Sequence, residues 1–239
     1  MLGGVLAGGG FHMGTQPLPS DFRPETNAKG MFEDRETVAI NEDLLEPLFP
    51  PRPRTSIGRF RRRAELEKGL RWAAVLPPGA VVKSTPALDS RIAAQVAQEP
   101  FFYKDPRFCY TLPAWRPFIG DALLICIFRE PERTANSLTA EWERHPRRRS
   151  RMTFETGLEY WRAAYGRVLD VQRHDGDWLF VHYDQVLDGS AIGEIQAALG
   201  TEVDVGFPDP GLKRSPSEGT VGEAERAIYS ELCALARHR

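Results

Sequence analysis

The sequence predicts an α/β layered fold with a mainly parallel sheet, and three observations carry that prediction. Ala122 to Phe128 is a continuous apolar run between Asp121 and Arg129, as in a strand buried on both faces. Trp178 to His182 is a second short apolar run. Around them lie segments whose large apolar residues recur at helical spacing, so strands alternate with helices. The chain has 239 residues, enough for one substantial core, and residues 1–239 read as a single domain.

Leu2, Val5 and Leu6 stand at helical spacing with small residues between them, which predicts a short helix over residues 2–9 packed closely on an apolar surface. His12 to Gly30 is rich in Pro, Gly, Asn and Thr and reads as a long irregular loop, a class more often functional than ordinary connections. A helix follows from about Asp34 to Leu48 and is broken by Pro50, Pro51 and Pro53. Ser56 to Val75 reads as a basic amphipathic helix, with Ile57, Phe60, Leu66 and Leu70 on its apolar side. Residues 87–98 read as a helix, Phe101 to Tyr103 as a buried strand, and Ala114 to Ile119 as one or two helical turns. After the 122–128 strand come helices at about 132–143 and 154–173, and after the second strand helices near 190–199 and 221–236.

Composition excludes several classes. Hydrophobic residues make up 41% and charged residues 27%, so whole-chain disorder, collagen-like repeats and coiled coil are not expected. Lys+Arg 31 against Asp+Glu 33 leaves a formal charge of -2, and no global nucleic-acid footprint exists. Any anion site must be local. Cys109, Cys126 and Cys233 form no CxxC pair, so neither a disulfide framework nor a zinc site is expected, and a reducing cytoplasm fits. The first residues lack the positive region of a secretory signal, and no run approaches the length of a membrane span. His145, His174 and His182 show no metal-ligand or catalytic spacing.

In parallel sheets ligands gather beyond the carboxyl ends of the strands. That rule selects Lys104 and Arg129, each directly after an apolar run. In LLICIFREPERTANSL, Arg129 leaves the strand, Pro131 opens the next helix, and Ser137 lies two turns along it. Arg129 and Ser137 are therefore candidates for one phosphate grip. The plainer alternative is an Arg capping a sheet end beside an exposed helical Ser.

FREPERTANSL resembles the element with which sulfotransferases hold the 3′-phosphate of 3′-phosphoadenosine 5′-phosphosulfate. FYKDPRFCYTLPAW is similar to the Lys-Asp-Pro-Arg segment of bacterial sulfotransferase-like proteins, NAKGMFEDRE to their Asn-x-Lys-Gly-x-Phe-Glu loop, and FVHYDQVL to their strand ending in Tyr and an acidic residue. The likeness covers about residues 1 to 235. It implies a three-layer, P-loop-like sheet flanked by helices, and sulfuryl transfer to a hydroxyl of a carbohydrate, lipid or small metabolite, without a metal. In that chemistry cationic groups hold the oxygens of a loose anionic transition state while a base positions the acceptor.

The resemblance assigns the donor's 3′-phosphate to Arg129 and Ser137, the sulfuryl group or acceptor to Lys104, and the base to Glu33. Lys213 and Arg214 of GLKRSPSEG are secondary donor-binding candidates, with a solvated basic turn as the alternative. For Lys104 the alternative is a salt bridge with Asp105 or another acid, and for Glu33 a helix-terminal carboxylate role shared with Asp34. Arg59, Arg61, Arg62 and Arg63, and Arg144, Arg147, Arg148, Arg149 and Arg151, read as solvated faces or as a rim that recruits an anionic acceptor.

One family signature is missing: the strand and Gly, Ser and Thr-rich basic loop that cradle the 5′-phosphosulfate. MLGGVLAGGGFHMG resembles the helix after that loop, and Gly8 to Gly10 read as a helix end. The expectation is that the true start lies upstream and that the first strand is missing; the rival is an inactive nucleotide- or glycan-binding protein. A P-loop kinase is a weaker reading, since GxxxxGK[ST] is absent.

Overall fold

Two parallel strands, β1 (Leu124–Phe128) and β2 (Trp178–His182), pair in register from Leu124 opposite Trp178 to Phe128 opposite His182. The computed structural model describes residues 1–16, 18, 29–49, 71–77, 79–144, 152–212 and 216–238. Within them lie α1 (Leu2–Ala7), α2 (Arg35–Leu45), α3 (Pro86–Val96), α4 (Phe108–Ile119), α5 (Pro131–Glu143), α6 (Phe154–Asp170), α7 (Tyr183–Leu187), α8 (Ile192–Leu199) and α9 (Glu223–Leu235). The described fold is mixed α/β and mainly helical.

Alternation along the strands sends side chains to opposite faces. Leu179 and Val181 join a core with Leu2, Val5 and Leu6 of α1, Val186 of α7 and Ile192 and Ile195 of α8. Cys126, Phe128 and Phe180 join Trp161, Val168 and Leu169 of α6 and Leu232 of α9. A third core gathers Ile40 and Leu44 of α2, Ile92 and Val96 of α3, and Trp115 of α4.

The small residues of α1 allow the close packing its sequence predicts. A Cβ on Gly4 would fall 2.0 Å from the Phe207 ring, and one on Gly3 2.7 Å from Phe32 Cβ. Gly157 does the same for α6, where a Cβ would lie 3.0 Å from Ala135 Cα of α5. This contact sets α5, the helix bearing Ser137, directly on α6.

Several expectations are corrected. Among the described residues the sheet has two strands, not the multi-stranded centre of a three-layer fold. Residues 101–103 form no strand: Phe101 makes one parallel bridge with His12. Pro100 has no N–H to extend the ladder, and Tyr103 instead sends its hydroxyl to Gln95 O at 2.7 Å, packing against the α2–α4 core. The helix expected over 114–119 starts at Phe108 despite Pro113 and Pro117 inside it. Pro113 cannot donate to the Cys109 carbonyl four residues back, and Gln172 Nε2 donates to it instead at 3.2 Å. Helix α7 begins immediately after β2, where the sequence reading has no helix. The amphipathic helix expected from Ser56 lies mostly outside the described residues; only Arg71–Ala73 is seen, as a 3₁₀ turn.

Candidate functional site

The β1 to α5 connection is a single turn. Pro131 occupies the first position of α5, where a missing N–H costs nothing, and Trp161 Nε1 of α6 fixes the turn by donating to Arg129 O at 3.1 Å. Arg129 then lies alongside the first turn of α5, with Nη2 donating to Arg133 O at 2.9 Å. In an α-helix that carbonyl also accepts the N–H four residues on, which belongs to Ser137. The guanidinium and Ser137 are thus drawn to one level of the helix.

Opposite lies Tyr183, the first residue of α7, whose ring centroid is 5.4 Å from the Arg129 guanidinium carbon. The paired strands end level, so Arg129 and Tyr183 both stand at the carboxyl edge of the sheet. Arg129 is half-buried and makes no ion pair with a described residue; burial lowers its pKa from the ordinary arginine value, with the Tyr183 ring acting the other way. No described residue hydrogen-bonds the Ser137 hydroxyl. A partly desolvated cation in no ion pair with a described residue, bonded one helical turn before a hydroxyl that no described residue engages, has the physical character of an anion site.

The segment after Lys213 and Arg214 is fastened to the same helix. Asn136 Nδ2 donates to Pro216 O at 3.2 Å and Glu218 O at 2.8 Å, and Ser217 Oγ donates to Glu132 Oε1 at 2.7 Å. Lys213 and Arg214 themselves lie outside the described residues, as do Arg59, Arg61, Arg62, Arg63, Arg147, Arg148, Arg149 and Arg151.

Glu33 and Lys104 form a separate pair, with Lys104 Nζ 2.5 Å from Glu33 Oε1. The Glu33 side chain is 9% exposed and that of Lys104 40%. The roles weighed for Glu33 and Asp34 separate cleanly. Asp34 is the helix cap: Oδ2 accepts Thr37 N at 2.9 Å and Gln95 Nε2 at 2.6 Å, and Oδ1 accepts Gln16 N at 2.8 Å. Glu33 is left to face Lys104. Phe32 before it adopts φ 55, costly for a residue with a Cβ, while its ring meets Phe207 edge-on at 5.4 Å.

The acid beside Lys104 is therefore Glu33 rather than Asp105. Asp105 Oδ1 accepts Arg107 N at 2.8 Å and Arg107 Nη1 at 3.0 Å, and Arg107 Nε reaches Glu42 Oε1 at 2.7 Å. Arg71 completes this buried network by donating to Glu42 O at 2.8 Å. Sequence reasoning chose Lys104 because a strand was expected before it. The residue is instead placed by the His12 bridge and the Asp105–Arg107 network.

No hydrogen bond or ion pair between described residues links Glu33 and Lys104 to Arg129 and Ser137. Tyr183 was missed as a site residue, although the strand-end rule that selects Arg129 selects it equally. A cavity of about 300 Å³ lies at the opposite, amino edge of the strands, lined in part by Arg116, Asp121, Asp175 and Asp177. Its cation is already paired, Arg116 to Asp175 at 3.2 Å. Among the described residues no His, Cys, Asp and Glu group gathers as for a metal, and no helix is long and apolar enough to cross a membrane. Compared with known protein families, characterised proteins and solved structures, the chain matches none.

Proposed function

We propose that the protein transfers a sulfuryl group from 3′-phosphoadenosine 5′-phosphosulfate to a hydroxyl-bearing acceptor, with Arg129 and Ser137 holding the donor's 3′-phosphate. The observation that carries this reading is the partly buried Arg129 guanidinium at the carboxyl edge of the parallel strands, in no ion pair with a described residue and bonded to Arg133 O, one helical turn before Ser137, whose hydroxyl no described residue hydrogen-bonds. A doubly charged phosphate supplies the missing counter-charge and accepts from both groups.

Lys104 and Glu33 serve the transfer itself. The ammonium has three N–H donors. One goes to Glu33, leaving two for sulfuryl oxygens, while Glu33 accepts the proton of the acceptor hydroxyl. The acceptor oxygen bonds to sulfur as the bond from sulfur to the phosphate oxygen breaks, and adenosine 3′,5′-bisphosphate leaves. Lys213 and Arg214 join the donor site, their following residues being pinned to α5 by Asn136.

A second reading, a nucleotide- or glycan-binding protein without catalysis, is favoured by the close pairing of Glu33 with Lys104, which neutralises both in the absence of ligand. Calorimetric titration with adenosine 3′,5′-bisphosphate tests the shared part of both readings. Hydrogen bonds to a charged group are worth about 1.5 to 3 kcal/mol, so Arg129→Ala should weaken binding at least about tenfold. Unchanged affinity in a folded variant removes the assignment. Sulfuryl transfer to a panel of hydroxyl acceptors then separates enzyme from binding protein.

A further inference from the structure

Below the Arg129 site lies a cluster of titratable side chains that the transfer chemistry does not use. His182, the last residue of β2, has a side chain with 0% exposure. It is also the N-cap of α7: its Nδ1 accepts the Asp184 backbone N–H at 3.1 Å, while its own backbone N–H donates to Gln185 Oε1 at 2.9 Å. A nitrogen that accepts a backbone N–H carries no proton of its own. The ring is therefore neutral in this arrangement, with its proton on Nε2. Nε2 stands 3.1 Å from Tyr229 Oη and 3.8 Å from Glu130 Oε2, a buried oxygen with no hydrogen-bond partner among the described residues.

We propose that neutral His182 positions Tyr183 beneath Arg129 by capping α7, and that protonation of His182 withdraws that support and weakens the anion site. The proposal rests on the phosphate reading of Arg129. Protonation puts a second N–H on Nδ1, directly facing the Asp184 N–H, and two donors cannot satisfy each other. The cap must then open, and the residue it displaces first is Tyr183, the platform 5.4 Å from the guanidinium.

The groups facing the ring come from every neighbouring element. Glu130, at the start of α5, favours the protonated form, although its Oε1 already accepts Arg133 Nε at 3.1 Å. From α9, Tyr229 and Cys233 add neutral polar groups. His238 stacks on His182 at 3.8 Å and 8°, and its charge would oppose a second one; Asp188, beyond α7, faces His238. Asp184 lies on α7 itself.

The test compares the full chain with His182→Asn, because asparagine keeps an oxygen to cap α7 and does not titrate. Calorimetry with adenosine 3′,5′-bisphosphate from about pH 8 to about pH 5.5 covers the interval in which imidazole changes charge. The ligand's own phosphate titration acts on both proteins alike. The original chain should lose about tenfold more affinity than His182→Asn across that interval. Parallel profiles overturn the proposal. NMR of the unsubstituted chain supplies a second measurement that needs no variant. Nδ1 should be the unprotonated nitrogen at about pH 8, and the Asp184 amide and Tyr183 ring should shift with the midpoint of His182. A proton on Nδ1, or an unmoved Tyr183, overturns it. If neither protein binds the bisphosphate at about pH 8, the phosphate reading fails, and the NMR still decides whether His182 controls Tyr183.

Discussion

Arg107 and Arg129 each stand at the start of a helix, yet their surroundings are opposite. Arg107, at the start of α4, has a side chain only 4% exposed and reaches two carboxylates, Asp105 at 3.0 Å and Glu42 at 2.7 Å. Arg129, ahead of α5, is half-buried and, among the described residues, has a carbonyl and an aromatic ring but no carboxylate at ion-pair distance. A buried cation with its counter-charges built in holds the fold together. One left without them is stabilised by whatever anion arrives, so the missing carboxylate separates the two roles.

The largest expected effect follows from that contrast. Arg107→Met leaves Asp105 buried without its cation and Glu42 with Arg71 alone, at 3.7 Å, and breaking such a buried pair costs about 3 to 5 kcal/mol. Urea unfolding should show that loss, with part of it restored when Glu42→Met is added. Arg129→Met removes a partly desolvated charge that no described carboxylate meets in an ion pair, so stability should change by less than about 1 kcal/mol while bisphosphate binding falls. Equal destabilisation by the two substitutions would end the distinction.

A smaller effect is expected at Ser137. No described residue hydrogen-bonds its hydroxyl, and alanine is the better helix former, so Ser137→Ala should leave stability unchanged or raise it by a few tenths of a kcal/mol. Affinity for the bisphosphate should fall by at least about tenfold, the loss of one hydrogen bond to a charged acceptor. A variant that binds as tightly as the original would confine the grip to Arg129.

The contrast between the arginines was only half legible in the sequence. LLICIF announces a buried strand by continuous apolarity, and the strand-end rule then finds Arg129 without any structure. Ser137 follows from helical spacing alone. Nothing in KDPR distinguishes Arg107 from Lys104 as the buried residue, because its acids come from two places: Asp105 beside it and Glu42 on α2, 65 residues away. The strand expected at Phe101 to Tyr103 failed for a related reason. Three aromatic residues satisfy a strand pattern, but they pack into the α2–α4 core instead of pairing along a sheet. Helix α4 was hidden by its prolines, since the group that accommodates Pro113 is Gln172, far along the chain. Local periodicity finds elements, whereas partners distant in sequence decide which charges are spent on the fold.

The last comparison sets Glu33 against its neighbour Asp34. Adjacent in sequence, they divide the labour: Asp34 is committed to the α2 cap and Gln95, while the Glu33 carboxylate pairs with the half-exposed Lys104. Asp34→Ala should therefore act on stability, since loss of a cap oxygen costs about 1 kcal/mol. Glu33→Gln breaks an ion pair whose lysine is largely in water, and should cost less than about 1 kcal/mol. Its effect belongs to turnover. A positioned general base contributes about a hundredfold or more to rate, so Glu33→Gln should depress sulfuryl transfer by at least that factor with donor affinity nearly intact. Lys104→Met should reduce transfer as well, because it withdraws the cation from the sulfuryl oxygens. Full turnover in Glu33→Gln would make the pair a structural link between the 29–34 loop and the Lys104 segment, and would leave Arg129 and Ser137 as a binding site without a base.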